Sequence, residues 1–159
     1  MKSYERRSTV RWEMGKERGK HIHVTCAIIE RDGFVLAAQR SEAMSLPLKW
    51  EFPGGKIRSG ENPEDCLRRE IVEELDVKIA VLHPLQPATH NYPSLTVTLY
   101  PFICSIEDGV LKRNEHAAVV WLPPDQLHTL DWSEADLPVL AAYRRFLKKQ
   151  PGMSTSASR

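Results

Sequence analysis

Three glutamates, Glu70, Glu73 and Glu74, have the residue type and the spacing for metal-assisted chemistry. On an α-helix, intervals of three and four residues place all three carboxylates on one face. Neighbouring like charges destabilise a helix by about 0.2–0.5 kcal/mol per pair, so a cation between them would be favourable. Carboxylate oxygens suit Mg²⁺ and Mn²⁺. The glutamates therefore predict either a divalent-cation site or, taken alone, a solvated acidic helix face.

The residues around these glutamates favour the site. Gly54 and Gly55 precede them and allow a backbone to approach a ligand closely. Asn62 and Pro63 suit an N-cap and a first helical residue, which predicts a helix over residues 63–75. An apolar stripe beside the acidic one should pack on a core, leaving the carboxylates at its rim. The stripe consists of Leu67, Ile71 and Leu75.

The segment 55–77 resembles the Nudix box, written G-x5-E-x7-R-E-U-x-E-E-x-G-U with U apolar. The matching residues are Gly55, Glu61, Arg69, Glu70, Ile71, Glu73, Glu74 and Val77. Asp76 is the one exception, because it stands where the family has a glycine that closes the helix in a left-handed conformation. Asp tolerates that conformation better than most residues, so we expect a cost of at most about 1–2 kcal/mol and no loss of chemistry.

The resemblance implies an α/β fold, an α/β/α sandwich with a mixed β-sheet, and Mg²⁺-dependent hydrolysis of a nucleoside diphosphate linked to another group. Mn²⁺ is the alternative ion. By position, the metal ligands would be Glu70, Glu73, Glu74 and the carbonyl of Gly55. Glu61 and Arg69 would orient them, and a bidentate pair between these two is expected.

Two further residues near the box bear on catalysis. Lys56 offers a point charge for a phosphate oxygen. Glu115 is similar to an extra acidic metal contact in MutT-like members of the family, although a loop glutamate is ordinarily solvated. The general base stays open between Glu70 and Glu115.

Outside the box, residues 22–147 are similar to short MutT-type enzymes, and more closely to the branch that includes CTP pyrophosphohydrolases. By position, Arg40 would contact phosphate or sugar, Phe52 would line the base pocket and Asp136 would read the base edge. MutT proper has Asn at that last position, whereas an ionised Asp only accepts hydrogen bonds. Asp136 would therefore favour a base that offers an amino group, such as cytosine; its alternative role is capping the last helix.

The expected activity is conversion of a (d)NTP to NMP and pyrophosphate. The substrate would be a pyrimidine nucleotide such as CTP or dCTP, or an oxidised one such as 8-oxo-dGTP. The alternatives are another Nudix substrate such as ADP-ribose, a non-catalytic Nudix-fold ligand sensor, and an RNA-end hydrolase.

Composition indicates one domain of 159 residues with a formal net charge of +1, which argues against a stable nucleic-acid partner. Residues 1–20 hold seven Lys or Arg against three Glu and are expected to form a basic N-terminal arm. Residues 21–150 should form the Nudix domain, and 151–159 a flexible tail. No apolar stretch is long enough to cross a membrane.

The cysteines show no paired spacing and are interpreted as buried thiols of a cytoplasmic protein. They are Cys26, Cys66 and Cys104. His21 and His23 are interpreted as structural rather than as metal ligands. Both a monomer and a homodimer stay open.

Hydrophobic patterning and turn residues predict the remaining elements. Strands are expected over 21–30, 34–40, 50–53, 77–82, 95–105 and 117–122. A short helix or turn should begin at Pro123, and a C-terminal helix should span residues 137–149.

Overall fold

The computed structural model describes residues 19–150. The expected arm, apart from its last two residues, and the expected tail lie outside this range. The strands are β1 (Lys20–Arg31), β2 (Phe34–Gln39), β3 (Trp50–Glu51), β4 (Gly54–Lys56), β5 (Lys78–Pro84), β6 (Ala88–Tyr92), β7 (Leu95–Asp108) and β8 (Ala118–Leu122). The helices are α1 (Pro63–Leu75) and α2 (Leu137–Lys148), with 3₁₀ turns over Pro124–Thr129 and Glu134–Asp136.

Strand β1 is the centre of a mixed sheet. It runs parallel to β7 and antiparallel to β4 and to the start of β2. The β1–β2 hairpin closes at Asp32 and Gly33, which have φ values of 53° and 83°. Two successive positive φ angles define the type I′ turn, whose twist matches that of paired strands. Strand β2 also pairs with β3 and β8, and β7 also pairs with β5 and β6.

Apolar side chains cover both faces of this sheet, because successive residues of a strand point to opposite sides. The core on the α2 side includes Ile22, Val24, Cys26, Ile28, Val139, Leu140 and Tyr143. The core on the α1 side includes Ala27, Ile29, Leu67, Ile71 and Leu75. Each fully buried Leu or Ile contributes about 1.5–3 kcal/mol. One helix therefore packs on each face, which confirms the α/β/α sandwich.

Helix α1 has the predicted bounds and both predicted ends. The Asn62 side chain accepts a hydrogen bond from the Asp65 N–H at 2.8 Å, and Pro63 is the first helical residue. The helix ends at Asp76 in a left-handed conformation, with φ 63° and ψ 31°. The Asp76 N–H donates to the Val72 carbonyl at 3.0 Å. Asp76 therefore adopts the conformation of the glycine that it replaces.

Three features differ from the sequence-based expectation. Strand β6 was not predicted, because its polar run ATHNY lies between prolines and becomes a strand only by pairing with β7. The strand expected over 50–53 ends at Glu51 as β3, and a separate short strand, β4, follows at Gly54–Lys56. Asp136 does not cap α2: its backbone is already helical, and its side chain makes no capping hydrogen bond.

Replacing Asp76 with glycine should raise the free energy of unfolding by about 1 kcal/mol, because glycine adopts positive φ without a steric penalty. D76A should lower it, because Ala lacks the short polar side chain that eases this conformation for Asp. Urea denaturation measures both. The control is K112A, which removes only the exposed 3.6 Å contact between Lys112 Nζ and Asp76 Oδ2. Equal stability of D76G and D76A would contradict the prediction.

Candidate active site

The inner face of α1 buries two carboxylates. Glu70 and Glu74 have no solvent exposure, whereas the Glu73 side chain is 29% exposed. Glu70, Glu73 and Glu74 form an acidic stripe on the helix face that packs on the sheet. Because two of its three carboxylates are fully buried, the stripe extends into the core instead of lying at its rim. A Cβ atom at Gly55 would stand 2.2 Å from the Glu70 carboxyl carbon. Glycine at this position therefore makes the room that the Glu70 carboxylate occupies.

Arg69 pairs with three carboxylates from the side. Its Nε donates to Glu61 Oε2 at 2.8 Å and its Nη2 to Glu61 Oε1 at 2.9 Å, which forms the expected bidentate pair. The hydrogen bonds from Arg69 lower the pKa of Glu61 to about 2. Arg69 Nη1 donates to Glu70 Oε2 at 2.8 Å and lies 3.8 Å from Glu73 Oε2. Arg69 thus fixes one edge of the stripe and keeps Glu61 ionised.

Glu74 has a different environment. Among residues 19–150, neither oxygen of its carboxylate has a hydrogen-bond partner, and the same holds for Glu73 Oε1. Burial raises the pKa of Glu74 well above its ordinary value, and the charges of Glu70, Glu115 and Glu51 raise it further. The nearby Gly54 N–H opposes this shift without making a hydrogen bond of ordinary geometry. A buried carboxylate without a partner is costly unless a cation compensates it.

The donor set fits a hard divalent cation, because the buried oxygens without partners belong to carboxylates. Within residues 19–150, however, no three His, Cys, Asp or Glu side chains already form a closed metal centre. Arg69 holds Glu70 to one side, and repulsion between the carboxylates opposes closer approach. A bound cation would supply the positive charge that the carboxylates of Glu70, Glu73 and Glu74 need in order to approach one another.

A second buried charge network lies beside the stripe, and its centre, Glu51, was not predicted as a site residue. Arg40 Nη1 donates to Glu51 Oε1 at 2.7 Å, and His116 Nε2 lies 2.9 Å from Glu51 Oε2. Burial by itself would raise the pKa of Glu51, but Arg40 and His116 hold it below its ordinary value. The sequence offered one signal for this network, which is a charged residue between the aromatic residues Trp50 and Phe52. The sequence around His116 did not indicate that its side chain would meet Glu51.

Arg40 is buried in the core, where it pairs with Glu51. Its side chain has no solvent exposure, and its Nε also donates to the Ser45 carbonyl at 2.6 Å. Contact with phosphate or sugar therefore stays a prediction, and in this conformation the guanidinium acts on Glu51 and Ser45.

Phe52 and Asp136 are direct neighbours. The Phe52 N–H donates to Asp136 Oδ1 at 3.1 Å, and the Ser133 hydroxyl donates to Asp136 Oδ2 at 2.5 Å. The Phe52 ring packs against Trp132, with centroids 4.7 Å apart. Burial, followed by repulsion from Glu51, raises the pKa of Asp136 to about 7. Asp136 therefore changes charge near neutral pH instead of staying ionised.

The remaining predicted site residues flank the stripe. Lys56 ends β4 and is half-buried, and Glu115 is a half-buried residue between β7 and β8. The charge of Glu115 acts on Glu74, so the fold brings together two residues 41 positions apart.

Other residues have structural environments. The three cysteines are free and buried, as predicted, and burial raises the pKa of Cys66 to about 12. His21 and His23 make hydrogen bonds to the hydroxyl groups of Thr98 and Tyr100. No helix within residues 19–150 has the length and apolar character to cross a membrane.

The fold and the buried acidic helix define a class of hydrolases. The sequence model of the NUDIX domain matches residues 19–143, and the chain belongs to the Nudix family. It is a hydrolase acting on phosphoric anhydrides. Enzymes of this family generally use a divalent cation.

Individual relatives agree with this assignment. The chain is 33% identical to the CTP pyrophosphohydrolase of Escherichia coli K12, over 83% of this chain and 98% of that one. It is also 33% identical to a putative 8-oxo-dGTP diphosphatase of Mycobacterium tuberculosis H37Rv, over 78% and 89% of the two chains. The solution structure of the E. coli ORF135 protein superposes with a TM-score of 0.72 and 31% identity, over 87% and 97%.

Replacing Glu74 with Gln should stabilise the metal-free protein at neutral pH, because a neutral amide is not repelled by the charges of Glu70, Glu115 and Glu51. The same change should abolish most of the increase in melting temperature that Mg²⁺ produces in the wild type. Calorimetry with and without Mg²⁺ measures both effects. The matched control on the same helix is E64Q, whose side chain is 49% exposed. A full Mg²⁺ response in E74Q would refute a role for Glu74 in cation binding.

The raised pKa of Asp136 predicts a pH dependence of stability. Between its unfolded pKa of 3.8 and its folded pKa of about 7, the folded protein holds one proton more than the unfolded chain. The free energy of unfolding should therefore fall as pH rises through this window, by up to about 1.4 kcal/mol per pH unit.

D136N isolates this contribution from other titrating groups. An amide can accept from the Phe52 N–H and donate to the Ser133 oxygen, so the fold should be kept. Denaturation at pH 4, 5.5, 7 and 8 should show that D136N gains stability relative to the wild type up to pH 7 and no further. A constant difference would contradict the prediction.

Proposed function

We propose that this protein is a Mg²⁺-dependent pyrophosphohydrolase that converts a (d)NTP to NMP and pyrophosphate in the cytoplasm. Its proposed substrates are pyrimidine nucleotides such as CTP and dCTP, with oxidised nucleotides such as 8-oxo-dGTP as the second class. The similarity to a CTP pyrophosphohydrolase and to a putative 8-oxo-dGTP diphosphatase supports both classes.

The observation that carries the proposal is the environment of Glu74. Its carboxylate is fully buried, has no hydrogen-bond partner among residues 19–150 and lies near the charges of Glu70 and Glu115. A buried cluster of like charges is unfavourable for stability alone. It is favourable in a site that must hold cations against a polyphosphate.

The proposed metal ligands are Gly55, through its carbonyl, and the carboxylates of Glu70, Glu73, Glu74 and Glu115. When bound, Mg²⁺ would neutralise charge that develops on the phosphate oxygens and lower the pKa of a water nucleophile. Glu61 and Arg69 orient the stripe through their bidentate pair, and Lys56 offers its ammonium to a phosphate oxygen. Each of these roles is electrostatic, as expected for displacement at phosphorus.

A general base must accept a proton from the attacking water. Glu70 already accepts a hydrogen bond from Arg69 at 2.8 Å, so one of its oxygens is engaged. Glu115 is itself half-buried, and its charge acts on Glu74. We therefore favour Glu115 as the base.

The nucleobase would be recognised around Phe52 and Asp136. The Phe52 ring offers an apolar face, and Asp136 offers a carboxyl group that accepts when ionised and donates when protonated. An ionised Asp136 would favour an exocyclic amino group, such as that of cytosine. Arg40 would act from beneath by holding Glu51 in place.

Pyrophosphate release from a panel of nucleotides tests the substrate. With Mg²⁺, we expect CTP and dCTP to have the highest kcat/KM, followed by 8-oxo-dGTP, with ADP-ribose inactive. The same panel with D136N should shift preference toward oxidised guanine. Release of phosphate instead of pyrophosphate, or preference for ADP-ribose, would overturn the proposal.

Glu73→Gln should reduce kcat by about 10²–10⁴-fold, because it removes a proposed metal ligand while the helix stays intact. Steady-state kinetics at saturating Mg²⁺ measures the loss, and circular dichroism checks the fold. E64Q is again the control on α1, since the Glu64 side chain is half exposed and pairs with Arg68 on the solvent side of the helix. Activity of E73Q within twofold of the wild type would refute the ligand assignment.

A further inference from the structure

The segment 110–117 lies across the C-terminal end of α1. The Lys112 N–H donates to the Leu75 carbonyl at 2.8 Å, and the Asn114 N–H donates to the Glu74 carbonyl at 3.0 Å. The side-chain amide of Asn114 also donates to the Glu73 carbonyl at 3.0 Å. Helix ends leave carbonyls without partners, and this segment supplies donors for three of them in succession.

Asn114 therefore makes two hydrogen bonds to the last turn of α1. Their acceptors are the main-chain carbonyls of Glu73 and Glu74, whose side chains belong to the acidic stripe. Asn114 is followed by Glu115, and consecutive Cα atoms are about 3.8 Å apart. Fixing Asn114 on the last turn of α1 consequently fixes where Glu115 can reach.

The other side of Glu115 is held as well. His116 is 2% exposed and contacts Glu51, and the Ala117 N–H donates to the Gln39 carbonyl at 2.8 Å. Arg113 Nη1 donates to the carbonyls of His116 and Ala117 at 2.9 and 2.8 Å, which closes the turn around Glu115. Glu115 thus lies between two anchored neighbours, one on α1 and one in the buried network.

We propose that Asn114 is a positioning residue that holds Glu115 against the acidic stripe of α1 through its hydrogen bonds to the main chain of Glu73 and Glu74. The effect of Glu115 on the pKa of Glu74 is consistent with this placement. The inference rests on the proposed function, because it gives Glu115 a role in the cation site. The alternative is that Asn114 only caps the helix, which would affect stability and not the site.

A double-mutant cycle separates the two roles. The variants are N114A, E115Q and N114A/E115Q. The first readout is the dissociation constant of Mn²⁺, measured by electron paramagnetic resonance without nucleotide. The second is the midpoint of urea denaturation, and the third is the division of any activity loss between kcat and KM. N114A removes the side-chain bond to Glu73 and keeps the main-chain bond to Glu74, so the variant should fold.

We expect N114A and E115Q each to weaken Mn²⁺ binding by about 3–10-fold and to lower kcat with little change in KM. In the E115Q background, N114A should have no further effect on Mn²⁺ binding, because its effect passes through Glu115. Its effect on the urea midpoint should be the same in both backgrounds. K112A is the matched control in the same segment, since its main-chain bond to Leu75 is kept, and it should leave Mn²⁺ binding unchanged.

Multiplicative effects of N114A and E115Q on Mn²⁺ binding would overturn the inference, and so would an N114A variant that changes only the urea midpoint. If E115Q binds Mn²⁺ like the wild type, the inference also fails, whereas the proposed hydrolysis is tested separately by the nucleotide panel and E73Q. Should N114A be too unstable to purify, N114L, which removes the donor and keeps the side-chain volume, replaces it in the same cycle.

Discussion

The burial of ionisable carboxylates on the inner face of α1 is the constraint on which the rest of the site depends. A helix that packs on a sheet normally presents only apolar residues to it. Here the apolar residues of α1 share that face with Glu70 and Glu74, both fully buried. Burying charge in this way costs stability unless neighbours compensate it. The two ends of the stripe differ in how far their charge is compensated.

Arg69 compensates the negative charge at the Glu70 end of the stripe, and the backbone leaves room for the Glu70 carboxylate. Its guanidinium pairs with Glu61 in bidentate geometry and with Glu70, while Gly55 leaves the space that the Glu70 carboxylate occupies. The other end, at Glu74, has no such partner in the described chain. Within residues 19–150, one end of the stripe is therefore held by an arginine, whereas the other end is left uncompensated.

Glu51 joins the two halves of the site. It is balanced by Arg40 and His116, and its charge raises the pKa of both Glu74 and Asp136. The carboxylates that would hold cations and the carboxyl group that would meet the base therefore share one electrostatic environment.

The sequence by itself determined the local features. Helix α1, its Asn62 cap, its left-handed end at Asp76 and its acidic stripe follow from residues that are neighbours along the chain, and the box spacing determined the family. Tertiary structure decided everything that depends on distant segments: strand β6, which exists by pairing with β7, the network of Arg40, Glu51 and His116, and the burial of Asp136. The physical reason is that burial and charge compensation are set by which segments meet in space, and local spacing does not carry that information.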